Sequence, residues 1–408
     1  MSPAPTSGTP GSDRSRLVRT AELAERSAEA LGTSFTSPLH EPRTAAILGA
    51  ALGIAFSVCF VTGLLSHLAQ HEPSWFAWPA RPAGLYRVTQ GLHVLTGIAS
   101  IPLLSAKLWV VFPHLVSWPP ARSIAHGIER LALLPLVGGS IFMLFSGTAN
   151  VARWYPWTFN FPQAHYAVAW ITIGGLITHI GAKWATTREA LGSFEAALDA
   201  PLDGGPTSTA AHQRRAFLTG VAATSGVLFL ATAGNTVRPL RWVSALAQRR
   251  PDDGPQGIPV NKSAEGAGVL PILAAAPYEL IVEGRVARPL RLTIDDLRSM
   301  PQHEAVLPIA CVEGWSADAT WTGVPIRDLL ARAGARNGAR ATIISLQPKG
   351  GYRTSRLNRG QISDPDTLLA LHLNGEELHV DHGRPARLIG PNRPGVLQTK
   401  WVGRIVVR

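Results

Sequence analysis

The sequence predicts an integral membrane protein, with a bundle of helices first and a separate β-rich α+β domain after it. Of its 408 residues, 46% are hydrophobic and only 16% are charged, which is more apolar than an average soluble chain. Five long stretches up to Val237 contain no Asp, Glu, Lys or Arg. After Pro277 the pattern changes to short alternating runs separated by turn residues, which is typical of strands.

Each uncharged stretch is long enough to cross a bilayer core of about 30 Å at about 1.5 Å per residue. The five are Thr44–Gln70, Val88–Ala106, Leu131–Ala152, Phe159–Ala182 and Ala216–Val237. Buried helices of a large soluble domain are the alternative, but five such stretches this close together would leave little polar surface. The first four, joined by short links, predict an all-α four-helix bundle over 44–185, and the fifth predicts one further transmembrane helix over 214–238.

Lys and Arg beside the spans predict the orientation, because they stay preferentially on the cytoplasmic side. With the N-terminus inside, twelve lie on inner segments: Arg14, Arg16, Arg19, Arg26, Arg43, Lys107, Arg122, Arg130, Lys183, Arg188, Arg214 and Arg215. Only Arg81, Arg87 and Arg153 lie on the first two outer loops. We therefore expect a plasma-membrane protein with a cytoplasmic N-terminus and, after five crossings, an extracytoplasmic C-terminal domain. The net charge of +11 partly reflects this asymmetry and gives no reason to expect nucleic acid.

The remaining segments are predicted to be disordered or to act as linkers. Residues 1–43 are rich in Ser, Pro, Ala and Thr and lack an apolar stretch, which predicts a disordered cytoplasmic N-terminus. Residues 186–213 form a cytoplasmic linker with Gly204 and Gly205 at its flexible centre. Residues 239–269, rich in Pro, Gly and charge, link the fifth span to the outer domain.

The domain over 270–408 is predicted to combine strands with brief helices. Strands are expected at Tyr278–Gly284 and Ala341–Leu346, where apolar and polar residues alternate. Short helices are expected near Ile294–Ser299 and Pro325–Ala333. The pattern favours a mixed α+β domain dominated by strands.

Histidines within the spans indicate haem. His67, His93, His165 and His179 lie inside or at the edges of spans, and His126 lies just before the third. Ionisable groups in a bilayer are costly, and ligation of haem iron is one way to satisfy them. His165 and His179 return to within about 40° of one helix face, about 21 Å apart along the axis. One helix thus presents a candidate ligand near each membrane surface, for one or two haems.

This placement over residues 44–185 resembles the two-haem b-type subunits of formate dehydrogenase and the cytochrome b561 class. The resemblance implies that His165 and His93 hold an outer haem, with His67 as an alternative partner. His179 is the candidate for an inner haem, and His126 is the histidine nearest to it in depth. For each histidine the alternative is a polar side chain hydrogen-bonded across helices.

The outer domain contains a single cysteine. Cys59 lies in the middle of the first span, where a disulfide to an outer residue is geometrically impossible. Cys311 therefore has no intramolecular partner. It is an inert buried residue, an intermolecular link or a ligand.

The sequence around Cys311 resembles the active-site segment of sulfite-oxidase-type molybdopterin oxidoreductases, which include the periplasmic methionine sulfoxide reductase catalytic subunit. The matching blocks, in order, are Tyr278–Gly284, Pro289-Leu290, Thr293–Met300, Leu307–Ser316, Trp321–Leu330, Asp364–Ala370, Leu373–Glu376 and His382–Pro385. Several ordered blocks make the resemblance specific over about 270–408.

The resemblance implies that the Cys311 thiolate binds molybdenum, completing a set of sulfur ligands with the two dithiolene sulfurs of the pterin. It also implies polar pterin contacts at Asn261 and Lys262, before the first strand, and at Lys400, near the end. Arg393 is a further candidate. Basic residues that merely solvate the domain surface are the alternative for each contact.

Together these features predict a membrane-bound molybdenum oxidoreductase that performs oxygen-atom transfer outside the cytoplasm and exchanges electrons through haem b. The expected partners are membrane lipid, the quinone pool or another electron carrier, and a small oxyanion or sulfoxide. The alternative is a non-enzymatic anchor or electron-carrier subunit with a degenerate molybdopterin domain. The run Gln213–Thr219, with Arg214 and Arg215 followed by Phe and Leu, also resembles a twin-arginine export signal.

Overall fold

The computed structural model describes residues 37–115, 123–198, 206–250 and 252–408, together with residues 19, 22, 23, 26, 27 and 35. Most of the predicted disordered N-terminus lies outside these residues. So does the predicted flexible centre at Gly204 and Gly205. Both expectations remain predictions.

Five long helices dominate the first part of the chain: α1 (Pro42–Gln70), α2 (Leu85–Leu115), α3 (Ile124–Ala152), α4 (Phe161–Leu198) and α5 (Pro206–Ala233). Within the described residues, four helical segments are long and apolar enough to cross a membrane: Pro42–Gln70, Leu85–Leu115, Arg130–Ala152 and Thr209–Ala233. Four of the five predicted spans are therefore confirmed as long apolar helices.

The fourth predicted span, Phe159–Ala182, differs from the others. It is helical within α4, but it is not among the segments that are apolar enough to span by composition. Gln163, His165 and His179 dilute its apolar residues, and charged residues begin at Lys183. Since α4 continues to Leu198, the first part of the predicted linker 186–213 is helical.

The chain divides into two compact units. The first comprises residues up to Ala55, Ala99–Ser146 and Phe159–Gly226, and the second comprises Phe56–Ile98, Gly147–Thr158 and Val227–Arg408. In the first unit, α3 and α4 approach closely at Gly139, where an added Cβ would lie 2.2 Å from the Thr172 hydroxyl oxygen. Small residues at such crossings are typical of helix packing in membranes.

Two five-stranded sheets make up the C-terminal domain. The first sheet has the order β2 (Leu290–Thr293), β1 (Glu279–Gly284), β10 (Val402–Val407), β5 (Ala341–Ser345) and β6 (Thr354–Leu357). The second has β3 (His303–Ala310), β4 (Ser316–Pro325), β7 (Leu368–Leu373) and β8 (Glu376–Glu377), with β9 (Arg387–Ile389) paired to β7. Only β1 and β10 pair in parallel among these strands.

A short helix, α6 (Leu270–Ala275), precedes β1, and three more connect later strands: α7 (Ile294–Ser299), α8 (Ile326–Arg332) and α9 (Arg359–Ser363). The predicted strands at Tyr278–Gly284 and Ala341–Leu346 correspond to β1 and β5, and the predicted short helices correspond to α7 and α8. Helix α7 begins with a reciprocal capping box between Thr293 and Asp296, which supplies partners for two N–H groups. The C-terminal domain is thus the mixed α and β domain that the sequence predicts.

The loop between α1 and α2 is clamped to the C-terminal domain within the second unit. Asn392 accepts a hydrogen bond from the Trp78 indole at its backbone oxygen and from the Tyr86 backbone N–H at Oδ1. Its Nδ2 donates to the Pro79 oxygen, and its backbone N–H donates to the Ala83 oxygen. Arg81 adds ion pairs to Asp364 and Asp366. The loop and the domain therefore act as one packed body.

We expect Asn392→Ala to destabilise this clamp by about 2–4 kcal/mol, because it leaves the buried Tyr86 N–H and Pro79 oxygen without partners. Asn374→Ala is the matched control. Asn374 has the same positive φ of 52° as Asn392, but the bonds of its amide to the Thr320 N–H and the Gln256 oxygen are exposed, so water can replace them. Thermal unfolding in detergent measures both variants, and equal losses would attribute the effect to backbone conformation rather than to the clamp.

Candidate functional site

Cys311 lies at the start of the turn that joins β3 to β4. Its backbone N–H donates to the Trp315 oxygen at 2.9 Å, and the Gly314 N–H returns to the Cys311 oxygen at 3.0 Å. Gly314 has φ of +90°, a conformation that favours glycine. We call residues 311–316 the cysteine loop. The tight turn places Cys311 in the lining of a small pocket, which we call the cavity.

The Cys311 side chain is almost completely buried, at 1% exposure. Burial raises the pKa of its thiol to about 12, and the negative charge of Glu313 acts in the same direction. The Asn261 side-chain Nδ2 lies 3.9 Å from Cys311 Sγ and donates toward it. A thiol with this pKa is protonated at neutral pH, so it must lose its proton to become a metal ligand.

Two basic side chains share the cavity with Cys311. Arg387, from β9, and Lys400, just before β10, line it together with Pro259, Asn261, Ile309, Trp315 and Gly395. The Arg387 guanidinium donates to the His382 oxygen and lies 5.3 Å from the centre of the Trp321 ring. Lys400 Nζ donates to the backbone oxygens of Lys262 and Asp381.

Burial disfavours the charged forms of the basic side chains near the thiol. Burial lowers the pKa of Arg387 to about 9, and it lowers the pKa of Lys400 well below its usual value. Burial and the nearby Arg387 charge also lower the pKa of His382 to about 4, so His382 is neutral and donates to the Pro255 oxygen. The site is therefore electropositive without a protonated histidine.

The predicted pterin contacts fall at different distances from the cavity. Asn261 and Lys400 line it, while Lys262 places Nζ 3.4 Å from Gln347 Oε1 and presents its backbone oxygen to Lys400. Arg393 is buried and bonds the Arg356 and Leu397 oxygens and Gln361, away from the lining residues. Of the predicted pterin contacts, Asn261 and Lys400 thus line the same pocket as Cys311, and Arg393 does not.

Sequence reasoning missed Arg387 and Trp315. The block of family resemblance around His382 ends at Pro385, two residues before Arg387. One signal was available: Arg387 interrupts the otherwise apolar run Ala386–Ile389, which forms a buried strand. A charged residue in a buried strand is rare unless it serves a site.

Two of the candidate haem ligands, His67 and His93, lie in the second unit. His93 Nδ1 lies 2.9 Å from the Cys59 oxygen and 3.3 Å from Thr62 Oγ1. Because Thr62 donates its own proton to the Val58 oxygen, these partners assign the imidazole proton to Nδ1 and the lone pair to Nε2. His67 stacks on His71 with ring centres 4.6 Å apart.

His165 and His179 belong to the first unit. His165 Nδ1 lies 2.8 Å from Ser146 Oγ, and Ser146 donates its proton to the Phe142 oxygen. The same tautomer as for His93 follows, with the lone pair on Nε2. The side chain of His126 lies outside the described part of the chain, and the pairing of the histidines remains a prediction.

Comparison with known families identifies the C-terminal domain. Residues 267–408 match the family model of the oxidoreductase molybdopterin binding domain. The C-terminal part of this chain is therefore a domain of the molybdopterin-dependent oxidoreductases, as the blocks around Cys311 predicted.

Several curated relatives are similar to parts of the chain. A putative protein-methionine-sulfoxide reductase subunit YedZ1 of Azospira oryzae is 32% identical over 33% of this chain and 50% of its own length. The catalytic subunit MsrP of Ralstonia nicotianae is 32% identical over 32% of this chain and 43% of its own. The mitochondrial sulfite oxidase of Drosophila melanogaster is 30% identical over 34% of this chain and 28% of its own. The chain thus spans half or less of the length of these relatives.

The residues around Cys311 fit an anionic molybdenum cofactor. Within the described residues, neither Arg387 nor Lys400 forms an ion pair with a carboxylate, and Arg387 Nε has no hydrogen-bond partner. Buried charges are costly unless they are paired. A pterin phosphate or dithiolene would supply the missing negative charge, and Cys311 would supply the sulfur ligand that molybdenum favours.

We expect the purified chain to contain about one molybdenum per chain and Cys311→Ser to lose it while the variant still unfolds cooperatively. A single thiol-to-hydroxyl change is small for packing but removes a metal ligand. Cys59→Ser, the other cysteine, is the control and should keep the metal. Elemental analysis with thermal unfolding measures both, and full metal content in Cys311→Ser would exclude the cysteine as the ligand.

Proposed function

We propose that this chain is a membrane-bound molybdenum-dependent oxidoreductase that performs oxygen-atom transfer outside the cytoplasm and exchanges electrons through haem b. The observation that carries the proposal is the buried Cys311 thiol facing Arg387 and Lys400 in a domain of the molybdopterin family. The substrate class is a small oxyanion or a sulfoxide. The names of the relatives cover both an oxidase and a reductase, so the direction of reaction stays open.

The molybdenum cofactor, when bound, supplies the two-electron chemistry. Cys311 would hold the metal after its buried thiol loses a proton, and the Asn261 Nδ2 donor would stabilise the negative charge that then forms on Sγ. Arg387 and Lys400 would hold anionic parts of the pterin from one side of the cavity. Trp315, Ile309 and Pro259 exclude water and thereby strengthen these interactions.

Two histidines, His93 and His165, have the hydrogen bonding that is typical of metal-binding histidines. His93 and His165 each present Nδ1 to an acceptor, the Cys59 oxygen and the Ser146 hydroxyl, respectively. Metal-binding histidines typically donate the second ring N–H in this way, which fixes the tautomer and the ring orientation. This supports each of the two histidines as a ligand of b-type haem, with His67, His179 and His126 as further candidates. Electrons would then pass to or from the quinone pool or another carrier.

The clamp between the α1–α2 loop and the C-terminal domain supports a five-span topology. Segments that touch on one side of a membrane are separated by an even number of crossings. Between this loop and the domain, α2, α3 and α5 are apolar enough for three crossings, so α4 would supply the fourth. With the N-terminus inside, as the distribution of Lys and Arg favours, loop and domain both lie outside the cytoplasm.

The domain would reach that side already folded, since it must receive its cofactor first. The twin arginines at Arg214 and Arg215, followed by Phe217 and Leu218 at the start of the α5 span, support export by the twin-arginine route. In the structure Arg214 forms an ion pair with Glu41. The positive-inside rule alone would also place arginines here. A variant that replaces both arginines by lysines separates the two explanations, because it removes a twin-arginine signal and keeps the charge.

The rival function is a membrane anchor or electron-carrier subunit whose C-terminal domain no longer binds molybdenum. In such a domain, replacing the buried Arg387 and Lys400 by apolar residues would not be opposed by loss of a ligand, and buried unpaired charges destabilise a fold. Retention of Arg387 and Lys400 beside Cys311 favours the enzyme. Metal content separates the two functions directly.

We expect His93→Ala and His165→Ala each to remove a b-type haem, because each loses an iron ligand. His179→Ala should affect a different haem. His303→Ala is the control and should keep the full haem content, because His303 lies in the C-terminal domain and pairs there with Asp366. Reduced-minus-oxidised absorption spectra of the purified variants measure the result. A wild-type chain without any haem would leave the histidines with a purely structural role.

We expect Arg214→Lys combined with Arg215→Lys to keep the C-terminal domain in the cytoplasm, since the export signal is lost while the charge is unchanged. In spheroplasts the domain should then resist externally added protease. Lys183→Arg combined with Arg188→Lys is the control, because it also exchanges basic residues without changing charge. Normal digestion of the domain in the Arg214 and Arg215 variant would refute the twin-arginine route.

A further inference from the structure

A buried hydrogen-bond network joins α1 and α2 to the cysteine loop. Gln90, on α2, is 5% exposed and donates from Nε2 to the Val312 backbone oxygen at 3.0 Å. Its Oε1 accepts from Ser66 Oγ, on α1, at 2.8 Å. Ser66 Oγ also accepts from Gln70 Nε2 at 3.1 Å and lies 3.3 Å from the Tyr86 hydroxyl.

The network fixes the direction of the Gln90 amide. Ser66 donates its single proton to Oε1, so Nε2 must point toward Val312. A buried amide costs free energy unless its groups are satisfied, and helix packing alone would be served as well by an apolar residue. The position of Gln90 is therefore explained by its contact with the cysteine loop, rather than by the packing of α1 against α2.

The same turn of α2 carries the candidate haem ligand His93. Gln90 precedes His93 by three residues, and Val94 follows it directly. Val94 packs on the cysteine loop at Gly314, where an added Cβ would lie 2.7 Å from Val94 Cγ2. The turn 90–94 thus contacts the loop on both sides of the residue that would bind haem iron.

The loop is also tied down from other parts of the second unit. Arg249 and Arg153 both pair with Glu313, and the Ser316 backbone N–H donates to the Asn235 oxygen at 2.8 Å. Of these ties, the one from Gln90 is made to the residue next to Cys311. It is the link that most directly connects the thiol with the turn of α2 that carries His93.

We propose that the hydrogen bond from Gln90 to the Val312 oxygen forms the electron-transfer junction between the molybdenum site and the haem bound by His93. Gln90 is a positioning residue: it holds the backbone of the cysteine loop against α2. The proposal rests on the proposed function for the presence of both cofactors. A two-electron reaction at the molybdenum site would need two successive transfers of one electron between the cofactors. Neither transfer breaks a bond at Gln90.

Electron transfer weakens steeply with the gap between donor and acceptor, and covalent and hydrogen-bonded links carry it better than open gaps. From Cys311 the route follows one peptide unit to the Val312 oxygen, crosses one hydrogen bond and enters α2 three residues before His93. Loss of the hydrogen bond interrupts this route and lets the loop move away from the helix. Neither change removes a ligand of either cofactor.

Flash photoreduction tests the junction without a substrate. Light reduces a deazaflavin to its radical at the expense of a sacrificial donor such as EDTA, and the radical gives one electron to the haem of the purified full-length protein. The haem absorbance then reports transfer of that electron to the molybdenum site. In Gln90→Leu and in Gln90→Met, which both lack an amide donor, we expect this transfer to slow severalfold, because the hydrogen-bonded route is lost and the loop can move away from α2. Haem spectra and metal content should stay at wild-type levels.

Thr89→Ala is the matched control, because Thr89 is equally buried on α2 but bonds the Leu85 and Tyr86 oxygens of its own helix. Its transfer rate should equal that of the wild type. Unchanged transfer in both Gln90 variants with both cofactors present would overturn the junction while leaving the proposed function intact. A wild-type protein lacking haem or molybdenum would overturn the proposed function, and the junction with it.

Discussion

The arrangement of the C-terminal domain depends on buried positive charge around one thiol. Arg387 and Lys400 are drawn into the interior beside Cys311, and their lowered pKa values measure how unfavourable that position is. Within the described residues neither side chain forms an ion pair with a carboxylate, and bonds to backbone oxygens offset only part of the cost of burying them, since the pKa of each stays lowered. An anionic cofactor would offset the rest. The neutral His382 and the donor Asn261 fit the same requirement, since neither adds a charge that would compete with the ligand.

This constraint also explains why the cysteine loop is held from several directions. A thiolate that places a metal must keep its position closely, and a tight turn with one glycine at positive φ is not rigid by itself. Backbone and side-chain bonds from Gln90, Asn235 and Arg249 restrain the loop from outside the two sheets. The helices and the domain are therefore energetically coupled, which a simple anchor joined to a soluble enzyme by a tether would not require.

The sequence predicted those features that depend on local pattern. Alternation located β1 and β5, uncharged runs located α1, α2, α3 and α5, and the blocks around Cys311 identified the domain. It could not supply contacts between residues far apart in the chain. The clamp of Asn392 on the α1–α2 loop, more than 300 positions away, has no local signature. Arg387 was missed for a related reason, because its role appears only when β9 is placed beside the cysteine loop.

Helix α4, the helix that departs from the predicted apolar pattern, is also the helix to which the proposed function assigns two haem ligands. A helix that presents two haem ligands on one face must carry polar residues at membrane depth, and under the proposed function His165 and His179 would be those residues of α4. Hydropathy and function thus oppose each other in α4, and sites of function are where local rules are expected to fail. The parity argument from the clamp does not use the hydropathy of α4. Given crossings by α2, α3 and α5, contact between the α1–α2 loop and the C-terminal domain on one side of the membrane would require a fourth crossing, which the proposed function assigns to α4.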